Sequence, residues 1–160
     1  MLKKLWNNME EYFLVSSLIL TVGLIFIQVV MRYIFKNSLT WSEEAARYIF
    51  LWQIWVGASY AVKKNKHLRI SILKDKLGEE NGFYFELVSH LLWIVFTLFL
   101  VFYGYTLANN IFTRGQLSPA MRMPMGYAYL SVPVGCSMML IRLIEKIIEL
   151  VHSKKKAGAY

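Results

Sequence analysis

The stretch Thr40–His67, TWSEEAARYIFLWQIWVGASYAVKKNKH, decides the fold. Thr40 and Glu43 have the spacing of a capping box, and Glu43 and Glu44 fall in a first turn where the helix dipole favours anions. Arg47 is within reach of either carboxylate on such a helix. About 20 apolar-rich residues follow, enough at 1.5 Å each to cross ~30 Å of hydrocarbon. Lys63, Lys64, Lys66 and Arg69 then supply an anchor at the inner membrane surface. This is a membrane helix with carboxylates at one end and a basic run at the other.

Three more apolar runs flank it. Spans are expected at about 12–35, 41–62, 82–112 and 126–151, with an amphipathic interfacial segment at about 67–78 that ends near Gly78. Hydrophobic residues make up 57% of the 160, more than a soluble domain of this size could hide in a core. The expected fold class is therefore all-α: one membrane domain over 1–160, a small bundle of four transmembrane helices around the second span. The first run is too long for a signal peptide and is read as an uncleaved span. Its Ser17, Thr21, Gln28 and Arg32 share a stripe that should face other helices, because lipid offers no hydrogen bonds.

The third span is longer than a bilayer needs and must tilt or begin as an interfacial piece. Glu86, His90, Trp93, Thr97, Gly104 and Ala108 share one of its stripes, and a structural Glu86–His90 hydrogen bond is expected near its start. The connector RGQLSPAMRMPMGY should be an ordered turn, with a kink or a locally freed carbonyl at Pro133 in the fourth span.

The basic residues set the orientation. Thirteen of the 18 lie at the amino terminus, in 63–76 and at the carboxyl end; the other side holds Arg32, Lys36, Arg47, Arg114 and Arg122. The positive-inside rule then places both termini in the cytoplasm. The net charge of +8 points to phospholipid headgroups as a partner and not to nucleic acid, since the charge sits in linkers and tail.

On the second span, Trp41, Ala45, Tyr48, Trp52, Trp55 and Ser59 form a broad aromatic side. Glu43, Arg47, Ile54, Gly57 and Ala61 lie opposite, the last two in a small-xxx-small arrangement that lets backbones approach. Trp52 and Trp55 are too deep for an interfacial belt and offer packing area to a partner.

Catalytic signatures are missing. The three histidines lack haem-ligand spacing, the single Cys136 reads as a packing residue, and no Walker, GxSxG or HExxH motif occurs. No cofactor, metal site or enzyme activity is expected. A small self-sufficient homo-oligomeric transporter is the alternative, but it would need an acidic residue at mid-span, which this sequence does not have.

The order of motifs resembles the small membrane subunit of tripartite ATP-independent periplasmic (TRAP) transporters, the Q or DctQ-like family. It rests on Arg32-Tyr33, then Trp41 and Glu43-Glu44, Arg47-Tyr48, Gly57-Ala58 and the basic turn with His67. It continues in SPAMRMPMGY and Pro133-Val134-Gly135, while the LRISIL wording after His67 is the loosest match. The resemblance implies a multi-pass protein of the bacterial inner membrane, joined 1:1 to a larger elevator-type subunit that carries the Na⁺ and substrate sites. A periplasmic binding protein would deliver an organic acid; the wording is most similar to sialic acid systems, with a C4-dicarboxylate or another carboxylate as further options. Trp41, Glu43, Glu44, Arg47, Tyr48, Trp52, Trp55, Gly57 and Ala61 are the candidate subunit interface. Arg32, Lys36, Arg114 and Arg122 are candidates for docking the binding protein or touching outer headgroups.

Overall fold

The computed structural model describes residues 2–64 and 79–157. These residues form the helices α1 (Leu2–Tyr33), α2 (Thr40–Lys63), α3 (Glu79–Thr113), the single turn α4 (Gly126–Tyr129) and α5 (Ser131–Ala157). Among the described residues the only extended pairing is an isolated bridge between Leu117 and Pro124. The expected interfacial helix at 67–78, with His67, Lys66 and Arg69, lies outside the described residues.

Among the described residues the helices form an open row and not a closed bundle. The packed pairs are α1 with α2, α2 with α5, and α5 with α3, while α1 makes no close backbone approach to α3 or α5. Among the described residues the two flanking helices are long and apolar enough to cross a membrane by length and composition, over Met9–Tyr33 and Gly82–Thr113. Their large side chains stay uncovered: Ile19, Phe26, Leu92, Val95 and Phe102 are all more than 60% exposed. An apolar surface of this extent would drive association or aggregation in water. The central helices α2 and α5 are less apolar and carry most of the buried polar contacts.

Small side chains let the row pack closely. The fully buried residues include Ser42, Ser59, Thr97, Ser131 and Cys136, and the apolar core is Val62, Met139 and Leu143 with Ala58 and Ile94 against it. At Gly135 the approach is to backbone, where an added Cβ would stand 2.5 Å from Trp55 Cβ and 2.9 Å from its carbonyl carbon. Gly57, expected to be such a point, would meet only Leu14 Cδ2, at an ordinary 3.7 Å. The small residue that brings α2 against a neighbour thus belongs to the neighbour.

Other local expectations change as well. The capping box does not form: Leu39 is the N-cap of α2 and no side chain caps it, while the Ser42 hydroxyl donates to the Leu39 carbonyl at 2.8 Å. Pro133 does not kink a continuous helix. The chain breaks at Leu130 between α4 and α5, leaving Pro133 in the first turn of α5, where its missing N–H costs no helical hydrogen bond. The polar stripe of α1 turns toward α2 over three of its four residues: Ser17 and Thr21 are buried, Gln53 Nε2 of α2 donates to Thr21 Oγ1 at 3.2 Å, and Gln28 bonds Glu43, while Arg32 is exposed.

The 35 residues of α3 reach about 52 Å at 1.5 Å each, well beyond hydrocarbon thickness. Its start is paired with the end of α5, with Lys154 Nζ 4.0 Å from the Phe83 ring centre and 4.5 Å from that of Tyr84. Along its stripe Thr97, Gly104 and Ala108 are buried, and Gly104 faces Val132 and Pro133 of α5. The His90 hydrogen bond runs from Nδ1 to the Glu86 backbone carbonyl at 2.7 Å, the i−4 contact a helix supplies.

Candidate functional site

The connector end of α2 carries two adjacent carboxylates with unlike surroundings. Glu43 faces outward, where it accepts from Arg47 Nη2 and from Gln28 Nε2 of α1, both at 3.2 Å. The side chains of Arg47 and Glu43 are 68% and 57% exposed, so this pair is a solvent-screened brace. Glu44 points the other way and is buried. Its Oε2 accepts from the backbone N–H groups of Ala120 and Met121 at 2.9 and 2.8 Å, and its Oε1 accepts from the Tyr48 hydroxyl at 3.2 Å.

These bonds bring the connector between α3 and α4 down against α2. The loop closes on itself: Ser118 N–H donates to the Met123 carbonyl at 2.8 Å, Arg122 N–H to the Ser118 carbonyl at 3.1 Å, and Met123 N–H to the Ser118 hydroxyl at 3.3 Å. The bridge between Leu117 and Pro124 forms its base. Gly126 follows because the Phe112 ring occupies the place of its side chain, 2.4 Å from an added Cβ. Arg122 adopts a left-handed backbone at φ 52°, as does Lys36 in the loop between α1 and α2. For a non-glycine residue that conformation is strained by roughly 1–3 kcal/mol and persists only where surrounding bonds impose it.

Below the loop, an apolar groove of about 600 Å³ runs between α1 and α2. Phe13, Leu20, Tyr48, Ile49 and Trp52 line it, and Met121, Met123 and Tyr127 close its upper end. A second groove of about 460 Å³ lies among α2, α5 and α3, lined by Trp55, Ala58, Ala61, Trp93 and Phe96. The aromatic side of α2 is therefore divided. Trp52 faces the first groove, Trp55 packs on Gly135 beside the second, and Trp41 is exposed at the helix start.

At the opposite end, near both chain termini, lies a buried ionic cluster. Arg142 of α5 donates to Glu10 of α1 through Nε at 3.3 Å and Nη2 at 3.2 Å, and to Glu145 through Nη1 at 2.9 Å. The fully buried Ser59 hydroxyl of α2 donates to Glu10 at 3.2 Å, and Lys63 Nζ lies 3.8 Å from it. The side chains of Glu10 and Arg142 are 2% and 4% exposed. Beside the cluster the Tyr60 hydroxyl donates to Glu11 at 2.7 Å. The buried Glu10–Arg142 pair is flanked by the half-exposed Glu145 and the partly exposed Lys63, so two carboxylates balance one guanidinium and one ammonium at the edge of solvent.

The residues singled out from sequence thus sort by position. Glu43, Glu44, Arg47 and Tyr48 come together at the connector end, with Arg32, Lys36, Arg114 and Arg122 exposed in or beside the two loops there. Lys63 and Lys64 are at the terminal end, each within 6 Å of the Tyr60 ring centre. Gly57 and Ala61 are half-buried against neighbouring helices of the same chain. Sequence reasoning missed Glu10 and Arg142 as partners. The available signal was a lone arginine inside SMMLIRLI, since an ionisable group in an apolar run needs a counter-charge. Among the described residues no cluster of metal-ligating side chains occurs.

Comparison with known proteins agrees with the motif order. The family model described as "Tripartite ATP-independent periplasmic transporters, DctQ component" matches residues 21–153. The sialic acid TRAP transporter small permease protein SiaQ of Vibrio cholerae is 30% identical over 156 residues, covering 94% of this chain and 86% of that one. The C4-dicarboxylate TRAP transporter small permease protein DctQ of Rhodobacter capsulatus is 27% identical over 108 residues, 68% of this chain and 48% of that one. The isethionate TRAP transporter permease protein DctMQ of Oleidesulfovibrio alaskensis is 26% identical over 146 residues, which cover 88% of this chain but 23% of that much longer one.

Proposed function

The chain belongs to the DctQ family of small TRAP permease subunits, which are components of transporters and not enzymes, and from that premise we propose that it is the scaffold subunit of a Na⁺-coupled importer of an organic acid. It spans the bacterial inner membrane four times with both termini in the cytoplasm, so the connector end faces the periplasm. It joins a large elevator-type subunit 1:1, enlarging the frame against which that subunit moves. The isethionate relative, in which this chain's counterpart is under a quarter of one polypeptide named as a permease, supports a large membrane partner.

The observation that carries this reading is the open row. A closed bundle would satisfy its own apolar surface, whereas here α1 and α3 each have a single packed flank and long uncovered faces. Lipid covers part of such a surface, and the two aromatic-lined grooves offer shape for helices of the larger subunit. Trp41, Trp52 and Trp55 with Glu43 are the contacts assigned to that interface. The basic outer set, Arg32, Lys36, Arg114 and Arg122, docks an acidic patch on the periplasmic binding protein.

Sialic acid is the leading substrate, on the similarity to the Vibrio cholerae small permease, with a C4-dicarboxylate next. Co-expression with the large subunit should give a stable 1:1 complex, and the small chain alone in liposomes should transport nothing. Robust uptake by the chain alone would overturn the scaffold assignment. Charge reversal across the outer basic set should lower uptake most at low ionic strength, where exposed charges are least screened.

A further inference from the structure

We propose that the loop Ser118–Met123 is a preformed recognition element for an acidic protein surface, and that Glu44 is the positioning residue that sets its shape. The inference rests on the reading that the binding protein docks on the basic outer face, and adds to it how that face is held ready.

Glu44 grips the loop mainly through main-chain donors, the N–H groups of Ala120 and Met121, with the buried Ser118 side chain beside them. Side chains are therefore left for outside use, and Pro119, Ala120 and Arg122 are exposed. The loop's own bonds centre on Ser118, which is 2% exposed and engages Arg122 and Met123. Arg122 is thereby fixed in a left-handed backbone at φ 52°, and the other outer loop holds Lys36 in the same conformation. A glycine would suit either place better; a cation stands there instead.

The chemistry favours a protein partner over a lipid. A headgroup needs only a long basic side chain near the interface, which can reach it from any backbone shape. Fixing the backbone adds affinity only against charges that are themselves fixed, because it removes an ordering cost from binding. Glu44 spends its charge inside the fold, so the exposed surface here is more basic than the sequence count of this side suggests.

The test uses the complete transporter in liposomes, with uptake measured against the concentration of substrate-loaded binding protein. Glu44→Ala is expected to raise the half-saturating concentration about five-fold, leaving maximal uptake and the yield of co-purified complex within about two-fold. Glu44→Gln should restore it, since a carboxamide oxygen still accepts both N–H groups and its NH₂ can donate to the Tyr48 oxygen. Ser118→Ala, which removes the hydroxyl that accepts the Met123 N–H, should shift the same quantity in the same direction. Loss of complex in Glu44→Ala, or a fall in maximal uptake at unchanged half-saturation, would assign the carboxylate to bundle integrity and overturn the proposal. A shift in Arg122→Glu with none in Glu44→Ala or Ser118→Ala overturns positioning while docking stands. No shift in Arg122→Glu, nor on reversing Lys36 and Arg114, removes the docking reading itself. An Arg122→Glu effect that vanishes in purely phosphatidylcholine liposomes would identify a lipid headgroup as the ligand, and also overturns the proposal.

Discussion

The two ends of α2 each bury a carboxylate, and they satisfy it in opposite ways. At the connector end Glu44 takes two backbone N–H groups and a tyrosine hydroxyl, all formally neutral donors. At the terminal end Glu10 takes a guanidinium, a serine hydroxyl and the approach of a lysine. Backbone donors are available only when a loop has one particular shape, so the first arrangement specifies a loop. Charged side chains can reach across a helix, so the second specifies which helices stand together. Glu10 and Arg142 belong to helices whose backbones do not closely approach, and their hydrogen bonds join the two across α2. One carboxylate orders a surface; the other orders the row.

Removing a charge from the terminal end should give the largest effect. Arg142→Ala strips both guanidinium bonds from the buried Glu10, leaving it the Ser59 hydroxyl and Lys63 at 3.8 Å, and breaking a buried pair costs about 3–5 kcal/mol. The expected result is a sharp fall in the thermal unfolding midpoint in detergent and in the yield of folded protein. Exchanging the charges, Glu10→Arg with Arg142→Glu, should recover part of the loss, because the local balance is kept. If the exchange is no better than the sum of the single variants, the two residues are not coupled and the contrast between the ends fails.

The middle of the row is next. Gly135→Val forces a branched side chain onto the Trp55 backbone, and overpacking of this kind destabilises by about 1–3 kcal/mol. Gly57→Ala should stay within about 0.5 kcal/mol, since its Cβ meets only the Leu14 side chain at normal distance. Unfolding midpoints of the two variants, measured side by side, separate the observed crossing from the one suggested by spacing. A larger loss at Gly57 in the assembled complex than in the isolated chain would place a partner helix there.

That pair of glycines shows what sequence could and could not convey. Apolar run length overlaps the helices of residues 2–64 and 79–157 but missed the early start of the first, the break at Leu130 and the extension of the last to Ala157, and stripe periodicity turned Ser17 and Thr21 toward α2. Both signals are local. Gly57-xxx-Ala61 and Pro133-x-Gly135 look equally able to admit a neighbour; only the tertiary arrangement decides that Trp55 enters at Gly135. The capping box failed for a similar reason: its residues were correctly spaced, but Glu43 is engaged by Arg47 and by Gln28 of α1, and Ser42 bonds the Leu39 carbonyl. Partners separated by 132 positions, such as Glu10 and Arg142, leave no periodic trace, and only the cost of a lone buried charge hints at them. The connector was legible as an ordered turn from its prolines and glycines, but not that main-chain groups 76 and 77 residues away would meet Glu44.

The smallest expected effect is at Glu43, next to Glu44 in sequence and opposite to it in surroundings. Its bonds to Arg47 and Gln28 are exposed, and pairs of that kind contribute about 0–1 kcal/mol. Glu43→Gln should therefore barely move the unfolding midpoint of the isolated chain, and what it does move should shrink as salt is added. The same substitution in the complex with the large subunit is more informative. Burial against a partner would remove the screening that makes the pair weak, so a carboxylate that bridges subunits should matter several-fold more there than in isolation. Equal small effects in both states would leave Glu43 as a local brace of the helix end, and would shift the interface toward the aromatic grooves below it.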